Sequence, residues 1–101
     1  MYVSRLNFHT TPGRTHEVEE LLKNLLRMVE AAGGAHPRVM RTHYASLGAP
    51  DLVFEQEAPD LATLEEQMAK ISSSDEFRSW SKNVSGLLVQ SPKREVYLVS
   101  G

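Results

Sequence analysis

The sequence predicts an α+β fold in which a four-stranded antiparallel sheet carries helices on one face. Stretches with alternating apolar residues and stretches with apolar residues every three or four positions follow one another in the order β-α-β-β-α-(α)-β. That order is the split βαβ arrangement of a ferredoxin-like domain. Right-handed crossovers would place both helical layers on the same side of the sheet. The 101 residues suit a single domain spanning 1–101.

Composition narrows the classes of function. The apolar fraction of 41% and the charged fraction of 24% are ordinary for a globular protein, and the net charge of -2 argues against binding to nucleic acid. The chain has no cysteine, which excludes disulfides, thiolate metal sites and cysteine nucleophiles. No apolar run approaches the roughly 20 residues of a membrane helix, and MYVSRLNF lacks the apolar core of a signal peptide. We therefore expect a cytoplasmic protein without membrane or nucleic-acid partners.

The first half of the chain predicts a strand and a long helix. Residues 2–9 alternate polar and apolar side chains, and Pro12-Gly13 then interrupts the strand. Residues 15–32 repeat apolar side chains at helical spacing, with Thr11 or Thr15 as the expected cap. Gly33-Gly34 is expected to end this helix, because glycine adopts the left-handed conformation without penalty.

The second half predicts three strands and two helices. Strands are expected at 38–47 and 51–57, joined by a turn at 48–51, and a last strand at 94–99. Asp60 is the predicted cap of the second helix. Ser73 and Glu76 fit a capping box at the start of a third helix that ends near Gly86.

The pattern assigns a face of the sheet to each strand residue. The face under the helices is expected to carry Leu6, Phe8, Met40, Tyr44, Leu52, Phe54, Val96 and Leu98. The open face is expected to carry Val3, Arg5, Asn7, His9, Val39, Arg41, His43, Val53, Glu55, Glu57, Glu95, Tyr97 and Val99. In this topology the first and third strands are central, so Arg5 and Glu55 are predicted to be neighbours within reach of an ion pair.

The mixture of valines and charged groups on the open face has two interpretations. Antiparallel sheets often leave one face in water, with charges keeping the protein in solution. Alternatively, the face packs on its twin in a second subunit, where the charges must pair with one another to be tolerated. A domain of this size gains core from such a partner. We therefore predict a homodimer formed through the open face.

Several segments resemble one known superfamily over nearly the whole chain. These are strand-PGR-helix at 2–32, FEQEAPDLATLEEQM, and SSSDEFRSWSKNVSGLL followed by a strand. They are similar to the dimeric α/β-barrel superfamily, in particular its antibiotic-biosynthesis-monooxygenase and NIPSNAP-like domains. The resemblance implies homodimers whose two sheets form one barrel. It also implies a small-molecule cavity inside the barrel or between each sheet and its helices.

The sequence departs from the monooxygenase members at informative positions. Those members often have a tryptophan where the third strand ends, and here that segment is Gln56-Glu57-Ala58. They also often have a histidine before the phenylalanine of the later helix, and here Asp75 and Glu76 precede Phe77. No catalytic residue is therefore carried over from the family.

Candidate site residues come from the predicted open face. His43 is the candidate catalytic base, since histidine titrates near neutral pH, although a lone strand histidine is more often structural. The candidate ligand-binding residues are Arg5, Asn7, Arg41, Glu55 and Tyr97. The arginines could hold an anion or simply neutralise the glutamates. Phe77, Trp80 and Met68 are expected in the core, where they could also line an apolar cavity between layers.

No cofactor or metal is expected. The only plausible ligand set, His9, His43, Glu55 and Glu57, has no recognised metal-binding spacing. The leading hypothesis is a homodimeric α/β-barrel protein that binds a small, largely apolar or aromatic molecule. By resemblance only, it would be a cofactor-independent monooxygenase. The alternative is a non-enzymatic dimerisation or stress-related structural module. An RNA-binding sheet is weaker, because the open face lacks paired aromatic residues.

Overall fold

The two central strands of the sheet are β1 (Tyr2–Phe8) and β3 (Leu52–Ala58), which pair antiparallel along their whole length. The computed structural model describes residues 1–101. The other elements are α1 (Thr15–Ala31), β2 (Ala35–Arg41), α2 (Leu61–Ser72), α3 (Asp75–Ser85) and β4 (Lys93–Leu98). The strand order is β2-β3-β1-β4, and every neighbouring pair is antiparallel. The predicted fold class is confirmed.

The core lies between the sheet and α1, with a contribution from α3. Phe8 and Leu52, which are cross-strand partners, are fully buried beneath Val18 and Leu22 of α1. Trp80 of α3 completes this cluster, and its indole N–H donates to the Leu21 carbonyl of α1. Burial of an indole is favourable when that N–H is bonded, so the contact also fixes α3 against α1.

The helix caps differ in part from their predictions. Neither Thr11 nor Thr15 caps α1, because Arg14 occupies the cap position and no side chain bonds to the free amides there. Asp60 does cap α2, accepting from the Thr63 amide at 2.7 Å. The cap of α3 is Ser74, whose hydroxyl accepts from the Phe77 amide, so the predicted capping box at Ser73 and Glu76 was wrong by one residue.

Strand β2 is displaced from its prediction in both length and face. It ends at Arg41, and residues 42–51 form a loop in place of the predicted strand end and tight turn. Its pairing with β3 sets Val39 opposite Phe54 and Met40 opposite Val53. Val39 therefore lies under the helices and Met40 on the open face, the reverse of the prediction.

Strand β4 is the exposed edge of the sheet. All six of its residues are solvent-exposed, including Val96 and Leu98 on the side that faces the helices. Only 15 of the 101 residues of the chain are buried, so an isolated chain has a small core. None of the three helices has the length and apolar character required to cross a bilayer.

Candidate functional site

The centre of the open face is a charge cluster built on Glu55. Arg5 of β1 and Arg38 of β2 flank Glu55 of β3 in register, and each Nε donates to one carboxylate oxygen at 2.9 Å. The Glu55 side chain is only 3% exposed, whereas those of Arg5 and Arg38 are 39% and 56% exposed. The two guanidinium groups therefore cover the carboxylate and leave their own outer edges facing outward.

The arginines determine the ionisation of Glu55. Burial on its own would raise the pKa of this carboxyl group, since it disfavours the charged form. Hydrogen bonds from Arg38 and Arg5 outweigh that effect and hold the pKa of Glu55 below its ordinary value. The carboxylate thus remains charged and both of its oxygens are bonded.

A second polar group on the same face extends toward β4. The Asn7 amide donates to Glu95 at 2.7 Å, and the Arg5 guanidinium lies 5.4 Å from the centre of the Tyr97 ring. Interactions with Asn7 and Tyr97 lower the pKa of Glu95. The interaction with Glu95 in turn raises the pKa of Tyr97. Four of the five predicted ligand-binding residues thus share the open face: Arg5 contacts both Glu55 and Tyr97, whereas Asn7 contacts Glu95.

Arg41 and His43 do not join this cluster. Arg41 is the cross-strand partner of Leu52, so its predicted place on the open face was wrong. It pairs with Glu19 of α1 instead, which lowers the pKa of that carboxyl group. His43 lies beyond the end of β2 in the exposed 42–51 loop, where its ring contacts Tyr44 edge to face. The residues predicted for the second strand separate because that strand ends before position 42.

His9 also lies outside the cluster, because β1 ends one residue earlier. Its ring nitrogens contact the Gly48 carbonyl and the Gln90 amide, at 3.2 and 3.1 Å. His9 therefore joins the 42–51 loop to the segment that precedes β4. The four residues considered as metal ligands do not form a common cluster.

A largely apolar cavity lies on the other side of the sheet, beneath α2 and α3. It has a volume of about 190 Å³, and most of its lining residues are apolar. Met68, Phe77 and Trp80 belong to that lining, as the sequence suggested. The polar groups of the lining are the side chains of Gln56, Ser72, Ser81, Ser85 and Arg94.

Two of these polar residues have N–H groups that no acceptor of the chain reaches. Gln56 is 5% exposed, and its side-chain Nε2 is buried without a hydrogen-bond acceptor. Arg94 forms no ion pair, and its guanidinium donates only to the Ser4 hydroxyl. Partial burial lowers the pKa of Arg94, although the residue remains exposed along part of its length. The cavity is thus an apolar space whose wall carries one orphaned buried donor, on Gln56, and the partly exposed guanidinium group of Arg94.

The same arrangement of sheet and helices occurs in several solved structures. A structure described as an antibiotic biosynthesis monooxygenase superposes with a TM-score of 0.70 and 14% identity, covering 100% of both chains. A NIPSNAP domain protein from Burkholderia xenovorans gives 0.74 and 13%, covering 99% of this chain and 95% of that one. A protein from Arabidopsis thaliana gives 0.74 and 14%, covering 100% and 97%.

This chain shares the fold of these solved structures. The resemblance inferred from the sequence is therefore confirmed at the level of fold, and identities of 13–14% extend it no further. No protein-family model and no curated protein matches the sequence.

Sequence reasoning missed three residues of these sites. Arg38 was passed over because the assumed alternation in β2 placed it under the helices. The sequence pattern places Gln56 at the end of the third strand and Arg94 at the start of the last one, and assigns neither a role in a site. At alternate positions of the third strand, Leu52 and Phe54 are apolar, whereas Gln56, the next in that series, is polar. A polar residue on such an apolar face is a signal that could have identified Gln56.

Proposed function

We propose that this chain is a homodimeric α/β-barrel protein that binds a small, largely apolar or aromatic molecule between the sheet and the helices α2 and α3. The main support is the apolar cavity of about 190 Å³ with the unpartnered amide of Gln56 at its wall. A dry apolar cavity of about 150 Å³ accepts benzene. The volume therefore suits one ring, or a short chain, with a small polar substituent.

Binding is favoured over proton-transfer chemistry by the groups that line the cavity. They include no imidazole, carboxyl, phenol or amine, and Arg94 is the only ionisable side chain. A general base needs a pKa near the working pH and a position within hydrogen-bond reach of the proton, and the guanidinium group is protonated throughout that range. His43 does not line the cavity.

Cofactor-independent oxygenation of a bound phenol is a second candidate function. Its support is the likeness of the fold to a structure described as an antibiotic biosynthesis monooxygenase. Because the cavity offers no base, the substrate would enter as the phenolate. Aerobic turnover of anthrones or hydroquinones tests this candidate. We expect any turnover to survive in His43→Ala, and loss of turnover in that variant would return His43 to the role of base.

Dimerisation through the open face has independent physical support. Half-buried Val3, Met40 and Val53 surround the charge cluster, and Tyr97 is 46% exposed. A chain with so few buried residues and an uncovered edge strand gains stability from a partner. The internal pairing of Glu55 with its two arginines lowers the penalty for covering that face.

A cavity-filling variant tests the proposed ligand site. Ser81 lines the cavity from α3, and Ser79 lies on the exposed side of the same helix. We expect single-ring probes such as benzamide to bind the wild type, measured by calorimetry, and to lose binding in Ser81→Phe because the new ring occupies the cavity. Ser79→Phe should bind as the wild type does. Equal binding to both variants, or none to the wild type, would contradict the proposal and favour the non-enzymatic structural module.

A further inference from the structure

The groups at the cavity wall that still have hydrogen bonds to make are donors. Gln56 presents a buried N–H₂ group with no acceptor, and Arg94 presents a guanidinium whose only acceptor is a neutral hydroxyl. No carboxylate of the chain reaches either one, since the lining contains neither Asp nor Glu. Buried polar groups in folded proteins are nearly always bonded, so the orphaned amide of Gln56 indicates a missing acceptor. The partly exposed guanidinium group of Arg94 has further N–H groups to donate to the same acceptor.

The register of the strands brings the two donors to the same part of the sheet. Ser4 of β1 is the cross-strand partner of Gln56 on β3, and directly paired residues of adjacent strands lie about 5 Å apart. The Arg94 side chain, which starts from β4, reaches back to the Ser4 hydroxyl. The Arg94 guanidinium group and the Gln56 side chain therefore lie on opposite sides of Ser4.

We infer that the ligand of this cavity is a monocarboxylate, whose apolar body lies beneath α2 and α3 and whose carboxylate is bound by Arg94 and Gln56. This inference rests on the proposed function and adds the chemical class of the ligand. A planar guanidinium group matches a carboxylate with two parallel hydrogen bonds, and both oxygens accept. The amide of Gln56 supplies a further donor to the same oxygens.

Charge and volume favour one carboxylate over larger anions. The wall has one positive charge, which balances one carboxylate but not a phosphate dianion. The remaining lining is mainly apolar and offers the anion only serine hydroxyls besides these two donors. Arg94 is partly exposed, so the charged group of the ligand would lie near the mouth of the cavity and the ring or chain deeper inside. Benzoic and hexanoic acids have this form.

Pairs of matched probes test the inference by calorimetry. Benzoate and benzamide have nearly the same shape and differ in charge, as do hexanoate and hexanamide. We expect each carboxylate to bind the wild type at least tenfold more tightly than its amide, because hydrogen bonds to charged partners are stronger. The acid that binds more tightly, benzoate or hexanoate, shows whether the apolar body is a ring or a chain.

Substitutions show which residue causes the preference for a carboxylate over its amide. Arg94→Met should reduce carboxylate affinity to that of the amide, within about threefold. Lys93→Met removes the same charge from the neighbouring residue, which is on the open face, and should leave the preference unchanged. Gln56→Glu places an internal carboxylate beside Arg94 and should exclude benzoate while the chain stays folded, as judged by circular dichroism.

The outcomes separate this inference from the proposed function. Equal affinity of benzoate and benzamide for the wild type, or an unchanged preference in Arg94→Met, would overturn the carboxylate inference and leave the binding cavity standing. Absence of binding by all four probes would overturn both. Loss of the preference in Lys93→Met as well would show that the effect is general attraction to positive charge, which also overturns it.

Discussion

Glu55 is a buried carboxylate on the side of the sheet that the chain itself leaves uncovered. Two arginines from neighbouring strands satisfy both of its oxygens, so the group is tolerated by pairing and not by exposure to water. The sequence predicted the contact with Arg5 because β1 and β3 were correctly taken as the central pair. It did not predict Arg38, since the face of a β2 residue depends on how that strand pairs with β3.

Removing the charge of Glu55 should destabilise the fold. In Glu55→Gln, two guanidinium groups would lose their common anion and repel each other across the β3 strand. Both are partly exposed and can be rehydrated, so we expect a loss of about 1–2 kcal/mol in the free energy of unfolding. Urea denaturation measures it. Glu57→Gln, on the same strand and face, should change stability by less than about 0.5 kcal/mol, and equal losses in both variants would contradict the account.

The pH dependence of stability provides a second test at this residue. Because the folded state lowers the pKa of Glu55 below its ordinary value of 4.5, the stabilisation is fully present above that pH. It is lost as the pH falls through the lower, folded-state pKa. Urea midpoints measured from pH 6 to pH 3 should therefore fall more steeply in the wild type than in Glu55→Gln. Parallel curves would show that the carboxylate is not stabilised by its partners.

At the scale of elements, the sequence predicted which helices and strands exist and missed several of their ends. Strand β2 begins with a shift of register between Ala35 and Arg38 against β3, where His36 has a φ of 48°. Such a bulge moves every later residue to the other face, and alternation in the sequence does not reveal it. The predicted strand began only at residue 38, where Val39 and Met40 are both apolar, so alternation did not decide which of the two faces the helices. Tyr44 was misplaced because β2 stops at Arg41.

Ser74 is the only one of three consecutive serines that caps α3, and this assignment can be tested. Ser74→Ala removes the acceptor for the Phe77 amide and should reduce the free energy of unfolding by about 1 kcal/mol, the usual loss for a helix cap. Ser73→Ala, whose hydroxyl only donates to the Lys70 carbonyl, should lose less than half of that. Thermal or urea unfolding distinguishes the two. A larger loss at Ser73 would support the capping box that the sequence suggested.

At the scale of the whole molecule, the structure has two faces of different character. The helix side encloses an apolar cavity, and the open side carries a paired charge cluster among valines and a methionine. The sequence indicated both, because helical stripes and strand alternation separate the two kinds of residue. It could not indicate that Gln56 and Arg94 lie close together on the helix side, since strand pairing across residues distant in sequence brings them together.

Association through the open face can be tested with a single charge. Val53 is half-buried on that face, between its cross-strand partners Asn7 and Met40. We expect light scattering to give twice the chain mass of 11.3 kDa for the wild type and the single mass for Val53→Arg. Val89→Arg places the same charge in an exposed loop before β4 and should remain a dimer. A monomeric wild type at high concentration would contradict the proposed assembly.

The methionine methyl groups report most directly on where the ligand binds. Met68 lines the cavity on the helix side and Met40 lies on the open face. In an NMR titration of ¹³C-methyl-methionine protein with benzoate, we expect a saturable shift of the Met68 resonance and no shift of Met40. A saturable shift of Met40 with Met68 unmoved would place the ligand on the open face and contradict binding between the sheet and the helices.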